Sequence, residues 1–186
     1  MLQRKFILPL TFLIGINLLI KPFWVLVIER KIQLLVGESQ YGLYFSLFSL
    51  SFILNVFLDF GIQIYNTRTI SSQTAQPKDY FGQLAWIKLF LAIAYFIISI
   101  SIAYFIGFER EAIHLLLWVC ANQFLLAFIA FFRSTIIAHQ QNYLDAFFSV
   151  FDKLLMILLV LTFLHFKHTI SIFQFAQIQF TALFIS

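Results

Sequence analysis

Long apolar runs separated by short polar connections fill the chain, and this pattern limits its folding more than any motif does. A helix needs about 20 predominantly apolar residues to cross ~30 Å of hydrocarbon at 1.5 Å per residue. Runs of that kind lie near 6–28, 42–65, 84–106, 113–137 and 144–165, and a sixth, 172–186, has only 15 residues. Charged residues make up 11% of the chain and hydrophobic ones 62%, with 26 Phe among 186 residues. A soluble domain of this size could not hide so much apolar surface from water, whereas hydrocarbon is a favourable solvent for it. The expected fold is therefore all-α, a polytopic transmembrane helix bundle of about six spans, forming a single transmembrane domain over residues 1–186.

Two ends of the pattern need separate treatment. Arg4 and Lys5 precede the first run as they would in a secretory signal. That run is too long for a signal core, contains Lys21-Pro22 and is followed by no small-residue cleavage site, so it reads as a membrane helix. The sixth run stops at Ser186 without a polar flank. A lipid-facing helix that ended inside the membrane would leave its terminal carbonyls unmet, so the chain is expected to be the front part of a longer protein.

Charge asymmetry sets the expected orientation. With the N-terminus inside, Arg4, Lys5, Arg68, Lys78, Lys88 and Arg133 are cytoplasmic, while Arg30, Lys31, Arg110 and Lys167 are outside. Six against four favours that orientation. The longest connection, Asn66 to Gln83, is rich in Ser, Thr and Gln, contains Pro77, and reads as a cytoplasmic loop. The same composition excludes several functions. The net charge of +4 is scattered, which argues against a nucleic-acid surface, and the lone Cys120 supports neither a disulfide framework nor a cysteine metal site. His114, His139, His165 and His168 show no metal-ligand spacing. No nucleophile elbow, phosphate loop or HExxH is present, so the residues point to neither an enzyme nor a cofactor. Trp24, Trp86 and Trp118, near span ends, read as interfacial anchors.

Function is sought instead in the few polar groups within the runs. An ion in a bilayer costs at least ~2.5 kcal/mol on insertion scales and therefore faces protein or water. In the second run Ser51, Asn55, Asp59 and Gln63 recur every four residues, placing them on one slowly winding face. The fifth run carries Asp145, Ser149 and Asp152 with Lys153 beside them. Neighbours on a helix point in different directions, so Asp152 and Lys153 cannot simply neutralise each other, and at least one looks to another helix. Asn122 and Arg133, eleven residues apart, lie nearly on one face of the fourth helix. In the first, Asn17 and Lys21 are four apart, and Pro22 removes the bond to the Leu18 carbonyl, which predicts a kink. The candidate substrate pathway is thus Asn17, Lys21, Asn55, Asp59, Asn122, Arg133, Asp152 and Lys153. The competing reading is structural, with Lys21 paired to Asp59 or Asp152 only to hold the bundle together.

The stretch GESQYGLYFSLFSLSFILNVFLDFGIQIYNTRTIS, residues 37–71, resembles the bacterial polysaccharide flippases, the O-antigen or oligosaccharide-lipid transporters. The likeness rests on Gly37, Tyr41, Gly42, Asp59, Gly61, Asn66 and Arg68. It implies a two-lobed exporter of the multidrug, oligosaccharide-lipid and polysaccharide superfamily, of which this chain would be nearly one N-terminal lobe. It further implies a bacterial cytoplasmic-membrane protein that flips an undecaprenyl-diphosphate-linked oligosaccharide between leaflets, in contact with membrane lipids. Lys21, Arg133 and Lys153 are of the charge type that would meet the diphosphate. The acids would pair with those cations in the empty state or couple transport to H+ or Na+. Two alternatives remain: from another class, an integral-membrane enzyme of polyprenyl-linked glycan assembly; and a drug or cation antiporter of the same superfamily, which an acid-dominated cavity without Lys would favour.

Overall fold

A computed structural model describes residues 2–72 and 77–186, with side chains at 11, 14–72 and 81–186. The side chains of Arg4, Lys5 and Lys78, three of the charges that orient the chain, lie outside the described residues. Among the described residues every regular element is a helix: α1 (Leu2–Phe23), a π-helical segment (Trp24–Glu29), α2 (Arg30–Val36), α3 (Glu38–Leu54), α4 (Val56–Asp59), α5 (Ile62–Ser71), α6 (Pro77–Ile106), α7 (Arg110–Ala138), α8 (Asn142–Lys167) and α9 (Ile172–Ile185).

Three of these helices are long and apolar enough to cross a membrane: Phe81–Ile106, Arg110–Ala138 and Asn142–Lys167. The pair Glu38–Leu54 and Val56–Ser71, bent by 43°, makes a fourth if it forms one span. Ile172–Ile185, at 14 residues, is shorter than a full crossing needs.

Local structure departs from the sequence expectation in three places. The first run is helical to Val36 rather than ending near 28, and Gly37, at φ 92°, stops it. Pro22 has no N–H to give the Leu18 carbonyl, and the irregularity expected there follows two residues later as the π segment, whose wider turn absorbs one extra residue. The second run is broken rather than continuous. Phe60, at φ 41°, and Gly61, at φ 81°, are both left-handed and interrupt the ladder between α4 and α5. Third, most of the stretch expected as a loop, Asn66 to Gln83, is helical: α5 runs to Ser71 and α6 starts at Pro77, with 73–76 outside the described residues. Pro77 suits a first helical position because its missing N–H would have no intrahelical partner there. The polar residues of α5 are helical because they find partners on α7. Asn66 Nδ2 donates to Ser134 Oγ at 2.7 Å and to Thr135 Oγ1 at 3.0 Å, and Ser71 Oγ donates to the Ala138 carbonyl at 3.4 Å.

The chain divides into two compact units, residues 42–139 and residues 1–41 with 140–186. In the contiguous unit α4 and α7 both pack on α6, and α5 packs on α7. Ile62, Leu84 and Phe131 form a buried cluster joined by Phe81, Ala85 and Leu91, with the Phe81 and Phe131 rings stacked at 4.9 Å. On α6 the buried side chains Leu84, Lys88, Ala92, Tyr95, Ser99 and Ala103 recur every three or four residues, so one stripe of the helix carries its whole interior. In the discontinuous unit α8 packs on α1 and α9. Helix α9 starts at a reciprocal cap, where Ser171 accepts from the Gln174 amide at 3.2 Å and the Ser171 amide donates to the Gln174 side chain at 3.0 Å.

Candidate functional site

In the contiguous unit the stripe on the second run forms one wall of an open groove of about 550 Å³. Asn55, Asp59 and Gln63 line it from the broken helix, and Gln123, Ala127 and Ala130 from α7. Asn55 Nδ2 donates to Gln123 Oε1 across the groove at 3.4 Å. Ser51, the first residue of the stripe, is fully buried instead, and its carbonyl accepts from the Tyr95 hydroxyl at 3.2 Å. The four-residue spacing therefore places three of its four polar side chains on the groove wall. With Gln123 the wall offers three amides and a carboxylate, able both to donate to and to accept from a polar ligand.

Behind that wall, Asp59 forms an ion pair. Lys88 Nζ donates to Asp59 Oδ1 at 3.1 Å and to the Leu58 carbonyl at 3.2 Å, with the Phe131 ring centroid 5.5 Å away. Lys88 is 1% exposed, 11 residues into the 30-residue α6. It is a buried cation in the body of the helix rather than an exposed flanking charge. The cation paired with Asp59 is Lys88.

Two other candidates belong to this unit but do not line the groove. Asn122 is buried on α7, and Arg133 is half-buried on the same helix. The helix presents Gln123, one residue on from Asn122, to the groove.

The discontinuous unit gathers the remaining four candidates around the π segment. Asn17 Nδ2 donates to the Ala146 carbonyl at 3.2 Å and its Oδ1 accepts from Ser149 at 3.0 Å, which ties α1 to α8. Trp24 is buried, its ring stacked on Phe175 at 6.3 Å, and its Nε1 donates to Glu29 Oε1 at 2.7 Å. The π segment thus turns this Trp into the unit rather than leaving it an exposed interfacial anchor; Trp86, 75% exposed, keeps the anchor-like position. Lys153 Nζ stands 5.6 Å from the Trp24 ring centroid, with Glu29 and Asp152 supplying opposite charge and Lys21, exposed in the last turn of α1, like charge. Asp152 accepts a hydrogen bond from the Ser186 hydroxyl at the end of α9. Asp152 and Lys153 therefore each look to another helix. A second concavity, about 310 Å³, lies beside Glu29, Arg30, Gln33 and Tyr41.

Lys88, Gln123, Trp24 and Glu29 are the residues that motif and flank reasoning passes over. Lys88 had a signal: it shares helical spacing with Ala92, Tyr95 and Ser99, three small or polar residues of α6. Glu29 lies just past the expected end of the first run, and only the helix that continues through it brings it back to Trp24. Among the described residues no group of three or more His, Cys, Asp and Glu is placed to hold a metal ion. Comparison with protein-family models, with curated proteins and with solved structures returns no match.

Proposed function

We propose that the protein is a membrane transporter, a flippase that carries a lipid-linked oligosaccharide of the undecaprenyl-diphosphate type across a bacterial cytoplasmic membrane for surface polysaccharide synthesis. One observation carries this reading: a groove of about 550 Å³ whose wall sets Asn55, Asp59, Gln63 and Gln123 into otherwise apolar helices. Polar groups at membrane depth are costly and mark substrate paths by default. Amides and carboxylates bond sugar hydroxyls in both directions, and Phe52 and Phe60 on the rim give an apolar surface beside them. In this reading the chain crosses the membrane six times with its N-terminus in the cytoplasm. Lys21, Arg133 and Lys153 attract the diphosphate while the prenyl tail stays in lipid, and H+ or Na+ drives alternating access.

A second reading, a drug or cation antiporter, is favoured by one feature: Asp59 is the ionisable residue among those lining the groove. Flipping of a labelled lipid-linked oligosaccharide in proteoliposomes separates the two. The flippase reading expects transport by the wild type and a loss of about tenfold in each of Asn55→Leu and Gln123→Leu, equivalent to ~1.4 kcal/mol of lost binding. Unchanged flipping in both variants would remove the groove from the path. Efflux of an organic cation without glycan flipping would establish the antiporter instead.

A further inference from the structure

The break in the second helix run leaves backbone groups that its own ladder does not serve. At membrane depth such groups persist only where protein or water meets them. The carbonyl of Leu58, at the end of α4, is met by Lys88 from α6, and the same ammonium holds Asp59 one residue later. Phe131 of α7 presents its ring to that ammonium at 5.5 Å. One buried cation therefore answers a carbonyl, a carboxylate and an aromatic face around a single joint.

Leu58 and Ile62 on either side of the joint are buried, but the two left-handed residues between them face open space. A Cβ built on Gly61 would meet nothing within 4 Å, and the Phe60 side chain is 63% exposed. The main polar ties of the two halves of the run go to different helices, although Asn55, between α3 and α4, also donates to Gln123 of α7, and Ile62 of α5 shares a buried cluster with Leu84 of α6. α3 and α4 are tied to α6, through Tyr95 on the Ser51 carbonyl and Lys88 on Leu58 and Asp59. α5 is tied to α7, through Asn66 on Ser134 and Thr135 and Thr67 on the Ser134 carbonyl. A joint with open space beside Gly61, and with most of its polar ties going to α6 on one side and α7 on the other, has the form of a hinge.

We propose that Lys88 is a tethered cation that latches this hinge, so that removing its ammonium lets α4 leave α6 while α5 stays on α7. The Asp59 carboxylate, 25% exposed on the groove side, is the element through which an occupant of the groove would reach the latch. The inference concerns shape rather than cargo and stands apart from the transport reading, since it is read without substrate.

Pulsed electron–electron distance measurements on the purified chain test it with two pairs of nitroxides at exposed positions. Val56 with Phe90 spans α4 to α6, and Ile64 with Phe132 spans α5 to α7. In Lys88→Met the first distribution should broaden by about 5 Å, the scale of one helical turn, while the second stays as in the wild type. Wild-type distributions for both pairs in Lys88→Met overturn the proposal. If both pairs broaden in that variant, Asp59→Asn decides, because it keeps the lysine and the Leu58 contact but removes the carboxylate charge. Broadening of the first pair alone supports the latch. Both pairs broadening again, or neither, overturns it.

Discussion

In each compact unit a lysine stands over an aromatic ring beside an irregular stretch of helix, Lys88 by Phe131 and Lys153 by Trp24, at nearly equal distances of 5.5 and 5.6 Å. The surroundings differ in what the irregularity does to the backbone. Two left-handed residues break the second run and strand a carbonyl, so Lys88 serves main chain and side chain together. The π segment of the first run re-registers its ladder without a gap, and Lys153 meets side chains there: the Trp24 ring, the Met156 sulfur and the charges of Glu29 and Asp152. There the acid Glu29 is held by the indole N–H and not directly by the ammonium. Here the break brings a cation to a main-chain carbonyl, whereas the bulge makes room for one among side chains.

The largest expected effect breaks the contiguous unit's side of this comparison. Lys88→Met should cost about 3–5 kcal/mol, because it leaves Asp59 as a partly buried charge without its cation. Lys88→Met combined with Asp59→Asn should recover much of that loss, since no ion is then stranded; thermal unfolding in detergent compares the two. Equal damage in both would place the stability in the Leu58 contact instead. A smaller effect is expected in the other unit. Trp24→Phe keeps a ring for Lys153 but takes the donor from Glu29, at about 1–3 kcal/mol by the same measurement. A loss as large as that of Lys88→Met would mean that the bulge depends on its side-chain bonds as much as the break does. The smallest is Gly61→Ala. With no neighbour for the new methyl to strike, it should cost only the left-handed penalty of about 1–2 kcal/mol. A gain in stability there would show that the hinge straightens.

Much of the architecture is legible in the sequence, because apolar run length and helix formation are local. Helical segments cover all six runs, and the four-residue spacing of Asn55, Asp59 and Gln63 sends them to one groove. What escapes is decided by tertiary partners. Lys88 looks like flanking charge until α6 is seen to bring it to Asp59, 29 residues earlier in the chain. Asn66, Thr67 and Ser71 look like a loop until α7 supplies their hydrogen bonds. The left-handed turn at Phe60 also has no sequence mark of its own, since Phe has no intrinsic preference for that conformation.

The interleaved division of the chain has a consequence for its birth at the ribosome. Residues 42–139 form a unit from one continuous stretch, but Asn17 must wait for Ser149, 132 residues later. At roughly 5–20 residues per second that is about 7–26 s, during which the first helix waits with its amide unclaimed by the partner it will finally hold. The tie between α1 and α8 can form only after that interval, whereas the unit of residues 42–139 has all its partners as soon as its own stretch is made.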